Sequence, residues 1–116
     1  MMKVVIYHNP RCSKSRQTLQ LLRDRGIEPE VIEYLKTPPD QKRLREIVKL
    51  LGISPIQLIR TREPAFREAG LDQGDPGAEQ LLSAMVEHPV LIERPIVLAN
   101  GKAALGRPPE QVLEIL

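Results

Sequence analysis

The dipeptide Asn100-Gly101, set between Ile96-Val97-Leu98-Ala99 and Lys102-Ala103-Ala104-Leu105, does most to narrow the folds open to this chain. Asn and Gly tolerate the positive φ angles that a two-residue turn between antiparallel strands demands. A hairpin at 96–105 is therefore expected, and with it a sheet. Val4-Val5-Ile6-Tyr7 supplies a second piece of that sheet, a continuous β-favouring run of the kind buried on both faces. His8-Asn9-Pro10-Arg11 interrupts it. Helical spacing follows over about 13–25, with Leu19 and Leu22 on the core side and Gly26 as a left-handed stop. Residues 30–35 alternate as a second strand. Strand, helix and strand in that order imply a right-handed parallel crossover.

The prolines map the rest. Thr37-Pro38-Pro39-Asp40 reads as a cap with proline at the first helical position, ahead of Leu44, Ile47, Val48 and Leu51, and Gly52 closes that helix. Ser54-Pro55-Ile56-Gln57 carries the spacing of a capping box and opens a short helix ending near Arg60. Residues 63–88 read as further small helices, with Leu81, Leu82 and Met85 facing inward and a loop at 72–77. After Gly106-Arg107, Pro108-Pro109-Glu110 opens a final helix bearing Val112, Leu113, Ile115 and Leu116. The expected order is βαβ, a helical block, then ββα: an α/β fold around a mixed sheet. No repeat or linker divides the chain, so its 116 residues are expected to form one domain, 1–116, large enough to bury a core.

Several function classes are disfavoured. No apolar run approaches the ~20 residues of a membrane helix, and the N-terminus lacks a signal-peptide pattern, so a cytoplasmic address is expected. A net charge of +2 with only three aromatics, Tyr7, Tyr34 and Phe66, gives little to hold nucleic acid. One cysteine and two histidines, His8 and His88, rule out an internal disulfide and argue against a metal cluster. His88, before Pro89, sits where a histidine can favour the dipole at a helix end.

Cys12 falls between a strand and a helix, where unpaired N–H groups and the helix dipole lower a thiol's pKa. Arg11, Lys14 and Arg16 are expected to push the same way. The alternative is an inert core cysteine, which the polar neighbours Arg11, Ser13, Lys14, Ser15 and Arg16 disfavour. Residues 12–16 also form a backbone cradle for an anion. The tyrosine-phosphatase pattern fails, because the position six after the cysteine is Thr18 and Arg16 is only four away. Ser15 stands where a Cys-x-x-Cys motif needs its second thiol, which excludes an intramolecular dithiol mechanism. Its hydroxyl can donate to the thiolate, or Ser15 is a plain first-turn residue. Arg60, Arg94 and Arg107 stand out by context, but on spacing alone each reads as a solvated surface arginine and none is evidence of a site.

The segment Ile6-Tyr7-His8-Asn9-Pro10-Arg11-Cys12-Ser13-Lys14-Ser15-Arg16 resembles the active-site segment of the glutaredoxin-dependent arsenate reductase (ArsC) family. The likeness runs on through Tyr34-Leu35-Lys36-Thr37-Pro38-Pro39, Leu58-Ile59-Arg60, His88-Pro89, Glu93-Arg94-Pro95-Ile96-Val97 and Gly106-Arg107-Pro108. Ser13-Lys14 after the cysteine is similar to the short bacterial branch. The resemblance implies a thioredoxin-like fold with a helical insertion and Cys12 as nucleophile, surrounded by His8, Ser15 and Arg16. It also implies an oxyanion-binding triad of Arg60, Arg94 and Arg107, and a cis-proline at Pro95 facing the active-site loop. Arsenate would be the substrate, glutathione a co-substrate and glutaredoxin a further thiol donor, with no bound cofactor or metal. Two other readings share the fold. One is a general glutathione-linked thiol-disulfide oxidoreductase, disfavoured because a disulfide needs no oxyanion arginines. The other is a redox-linked regulator that binds RNA polymerase, disfavoured because such sensors use Cys-x-x-Cys.

Overall fold

In the computed structural model, which describes residues 3–116, the chain divides into two compact units. One is built from the chain up to Thr37 together with Arg94–Leu116, the other from Pro38–Glu93. The first unit contains β1 (Val4–His8), α1 (Ser13–Asp24), β2 (Glu30–Glu33), β3 (Ile96–Ala99), β4 (Lys102–Leu105) and a closing 3₁₀ helix, Pro109–Ile115.

Its sheet has the order β2-β1-β3-β4. β1 pairs parallel with β2, Tyr7 facing Ile32, and antiparallel with β3, Tyr7 facing Ile96. The mixed sheet expected from a crossover and a hairpin is present. β1 and β3 are central and buried along their whole length, which is why residues 4–7 and 96–99 are unbroken apolar runs, with His8 the one polar member. At the hairpin tip Asn100 has φ 55° and Gly101 φ 70°, the two positive angles of a type I′ turn. The Asn100 amide also donates to the Ile115 carbonyl at 2.9 Å, tying the tip to the end of the chain. β2 is shorter than its alternation suggests. The Lys36 and Thr37 N–H groups both turn back to the Glu33 carbonyl, at 3.0 and 2.9 Å, and so end the strand.

Val4, Ile6, Leu22, Val97, Ala99, Val112 and Ile115 form the core of this unit, with Leu19 partly buried against it. Leu22 is fully buried; cutting such a leucine to alanine costs about 2–5 kcal/mol. The last helix is 3₁₀ rather than the α-helix its opening prolines suggest. The physical reason is its period. Val112 and Ile115 are three residues apart, so a three-residue turn lays both on the core, while Leu113 and Leu116 stay half-buried.

The second unit holds α2 (Gln41–Leu51), α3 (Pro55–Leu58), α4 (Pro64–Glu68), α5 (Ala78–Glu87) and a short 3₁₀ turn, Pro89–Leu91. Asp40, not Thr37, caps α2: its carboxylate accepts from the Arg43 N–H at 2.7 Å, and both prolines precede the helix. An acidic cap satisfies an orphan N–H and suits the dipole as well. Leu44, Ile47 and Val48 are buried, and Gly52 ends the helix at φ 69°. At α3 the Gln57 side chain accepts from the Ser54 N–H at 2.8 Å, the reach of the expected capping box. Leu81, Leu82 and Met85 of α5 point inward, and His88 is its C-terminal cap residue. Ile59 bridges Ile92, so the stretch after α3 runs antiparallel to the stretch before β3. Among the described residues no helix is long and apolar enough to cross a membrane.

Candidate active site

The loop that leaves β1 is organised by Asn9. Its side-chain carbonyl accepts from the Arg11 N–H at 3.0 Å, and its backbone carbonyl accepts from the Cys12 N–H at 3.0 Å. Asn side chains close such turns readily. The turn delivers Cys12 in an extended conformation, φ −95° and ψ 123°, as the N-cap of α1. The thiol is only 8% exposed. It is buried, as the inert alternative would have it, but its company is polar.

Burial alone pushes the Cys12 thiol up. That push is outweighed by the Ser15 N–H, by the hydrogen bond and charge of the Arg94 guanidinium, and by the Lys14 N–H, so the pKa falls below its ordinary value. The helix start therefore does what its position promised, through two backbone donors aimed at sulfur. The cation differs from expectation. Arg94, from the other end of the chain, supplies the side-chain charge, where Arg11, Lys14 and Arg16 were expected to. Lys14 contributes its backbone instead, and Arg16 donates from its guanidinium to the Pro10 carbonyl at 2.9 Å, bracing the loop.

Ser15 also differs. Its fully buried hydroxyl lies 2.6 Å from His8 Nδ1 and accepts from the Asn9 N–H at 3.0 Å. The hydroxyl thus joins the end of β1 to α1, and the backbone N–H of the same residue serves the sulfur. Burial lowers the His8 pKa, Glu33 opposes this, and Arg23 and Arg16 add to it. The net effect is downward, which favours the neutral imidazole.

Arg94 reaches the loop because of strand register. Ile96 faces Tyr7, so the residues just before β3 run on past the end of β1. Arg94-Pro95 is a cis peptide, as the resemblance implied; Arg107-Pro108 is a second cis bond that nothing in the sequence reading anticipated. Arg107 Nε donates to the Arg94 carbonyl at 2.8 Å, so these two arginines share one corner. Arg60 lies on the second unit. Its guanidinium is 2.7 Å from Glu63 and 3.9 Å from Glu93, its side chain 24% exposed. Two carboxylates against one guanidinium make a poor oxyanion trap until one of them yields.

Tyr34 carries no expected role from the sequence, although it stands in the Tyr34-Leu35-Lys36-Thr37 segment of the family likeness. It is buried at the end of β2, one residue beyond the His8–Glu33 pair. Burial raises its pKa, while the Arg94 charge and the Asn9 side chain pull the other way. Its position past the carboxyl end of a strand, where open sheets gather their sites, is the signal that could have found it. Among the described residues no group of three His, Cys, Asp or Glu side chains is placed to hold a metal.

Sheet order, the cysteine at the start of α1 and the cis-proline before β3 place the chain in the thioredoxin-like class of thiol proteins. Within that class it belongs to the ArsC family, whose model matches residues 7–115. The chain is 56% identical to the uncharacterized protein YfgD of Escherichia coli K12, across 98% of this chain and 97% of that one. It is 49% identical to an arsenate reductase of Neisseria meningitidis serogroup B over the full length of both. The solved arsenate reductase from Vibrio cholerae superposes with a TM-score of 0.94 at 52% identity, covering 99% of this chain and 98% of that one.

Proposed function

We propose that this protein reduces arsenate to arsenite through Cys12, drawing electrons from glutathione and glutaredoxin. The observation that carries this reading is a lone thiol, its pKa lowered by helix N–H groups and by Arg94, in a chain half identical to named arsenate reductases. The Cys12 thiolate attacks As(V), and one arsenate oxygen leaves as water after taking two protons. Glutathione then adds its sulfur to arsenic with loss of a second water, since the chain has no other thiol. A glutaredoxin thiolate attacks that glutathione sulfur. The mixed disulfide departs, the bonding pair stays on arsenic, and As(V) becomes As(III). Hydrolysis of the remaining sulfur–arsenic bond releases arsenite and restores the thiolate.

Arg94 and Arg107 stabilise the oxyanion and its adducts, and Arg60 is assigned the same role. Charge-assisted guanidinium forks suit this task, and such preorganised charge is commonly the largest catalytic contribution. Pro95, His8, Ser15 and Arg16 support the loop that presents the sulfur. The chemistry calls for no bound metal or cofactor and for a reducing compartment, the cytoplasm, where glutathione keeps thiols free.

The test is arsenate-dependent NADPH oxidation with glutathione, glutaredoxin and glutathione reductase. Cys12→Ser should abolish turnover, and Arg94→Ala should lower it by about 10²–10³-fold, as loss of an oxyanion donor does. A wild-type protein that reduces disulfides but leaves arsenate untouched would defeat the assignment.

A further inference from the structure

Gly101 is glycine for its backbone angle, whereas Gly106 is glycine for space. A Cβ placed on Gly106 would stand 2.4 Å from Thr18 Oγ1, 2.6 Å from Pro95 Cγ and 3.1 Å from Pro95 Cδ. Carbon atoms in contact need about 3.5–4 Å, so the backbone here is wedged between two elements with no room for a methyl. Neither neighbour yields easily. Thr18 is fully buried, and its hydroxyl donates to the Lys14 carbonyl at 2.8 Å. The Pro95 ring is fused to the backbone, and the Pro95 carbonyl accepts from the Gly106 N–H at 2.9 Å. Arg107, the next residue, holds the Arg94 carbonyl.

Both neighbours lead to the same sulfur. Thr18 grips Lys14, whose N–H faces Cys12 together with that of Ser15, and Pro95 follows Arg94, whose guanidinium faces Cys12 from the β3 side. The Tyr34 hydroxyl completes the surroundings from the end of β2. We propose that Gly106 is a positioning residue of the thiolate site: its bare backbone lets residues 94–95 close onto the first turns of α1, and this closure brings the Arg94 guanidinium to the Cys12 sulfur. A side chain at 106 props the two apart and draws Arg94 away. The inference rests on Cys12 as the working thiolate of the proposed function, but not on arsenate as its substrate.

The experiment is a pH titration of thiolate absorbance near 240 nm in the wild type, Gly106→Ala, Arg94→Ala and the variant carrying both. Gly106→Ala should raise the thiol midpoint by about one pH unit, about tenfold less thiolate at a fixed pH below the midpoint. In the Arg94→Ala background the same change should add nothing, because two substitutions acting through one contact are not additive. A folded Gly106→Ala protein with the wild-type midpoint overturns the proposal. So does an equal further shift in the Arg94→Ala background, since the glycine would then act by another route. Should Gly106→Ala not fold, Gly106→Ala with Thr18→Ala, which vacates the closer contact but leaves that with Pro95, is titrated on the same terms against Thr18→Ala alone. Arsenate turnover is a separate readout: a wild type that fails to reduce arsenate, with these midpoints as expected, defeats the activity and leaves the role of Gly106 standing.

Discussion

Replacing Ser15 with alanine separates two jobs that one residue performs. The hydroxyl is fully buried, 2.6 Å from His8 Nδ1 and 3.0 Å from the Asn9 nitrogen, and both partners are buried too. Alanine leaves two interior polar groups without this partner. Each such loss costs about 1–3 kcal/mol, so the variant should lose about 2–6 kcal/mol. At this chain length 1 kcal/mol moves the melting temperature by about 3–6 °C, so thermal unfolding followed by circular dichroism should show a fall of about 6 °C or more. The sulfur tells a different story. Ser15 acts on Cys12 through its backbone N–H, which alanine keeps. The thiol midpoint should therefore move less in Ser15→Ala than in Arg94→Ala, measured side by side by thiolate absorbance. A Ser15→Ala protein that melts with the wild type but titrates as an ordinary alkaline thiol would refute this division, and would return the hydroxyl to the thiolate.

Two further outcomes follow from the same geometry. Burial lowers the His8 pKa, so the folded state resists protonation that the unfolded chain accepts near pH ~6.5; stability is retained above that pH and lost as pH falls from it toward the folded pKa. His8→Asn, whose amide can still meet Ser15, should flatten that acid limb in urea unfolding at pH 7 and pH 5, and an unchanged slope would place the titration elsewhere. If Arg60 holds the oxyanion as proposed, Glu63→Gln removes a carboxylate that occupies it, so the KM for arsenate should fall several-fold with little change in kcat. A raised KM would show that Glu63 orients the arginine rather than occupying it.

What could be read from the sequence was whatever is settled within a few residues. Asn100-Gly101 announces its turn because both residues tolerate positive φ, and Gly26 and Gly52 announce helix ends for the same reason. Cys12 is legible as a helix-capping thiol because a strand stops at His8 and a helix starts at Ser13. Its cation was not legible by proximity. Arg11, Lys14 and Arg16 are near in sequence, yet Arg16 is spent on the Pro10 carbonyl, and the charge on the sulfur comes from Arg94. The family resemblance did name Arg94, but only as an oxyanion ligand.

The physical origin of that gap is strand register. Once Tyr7 faces Ile96 across an antiparallel ladder, the residues before β3 must continue past the end of β1. Likewise, once Glu33 faces His8 across a parallel one, Tyr34 must follow beside Asn9. Neither pairing can be deduced from propensity, since the apolar runs at 4–7 and 96–99 would accept a slipped partner on pattern alone. The hairpin ties β4 to β3, but nothing in the loop chemistry ties β3 to β1. The same holds at Arg60, where Glu63 is an i+3 neighbour anyone could name, while Glu93 arrives only because Ile59 bridges Ile92. Chemistry set by a helix start can thus be read directly from the chain. Chemistry set by register becomes readable only when the pairing of β1 with β3 is known, and from that one pairing the place of Arg94 follows.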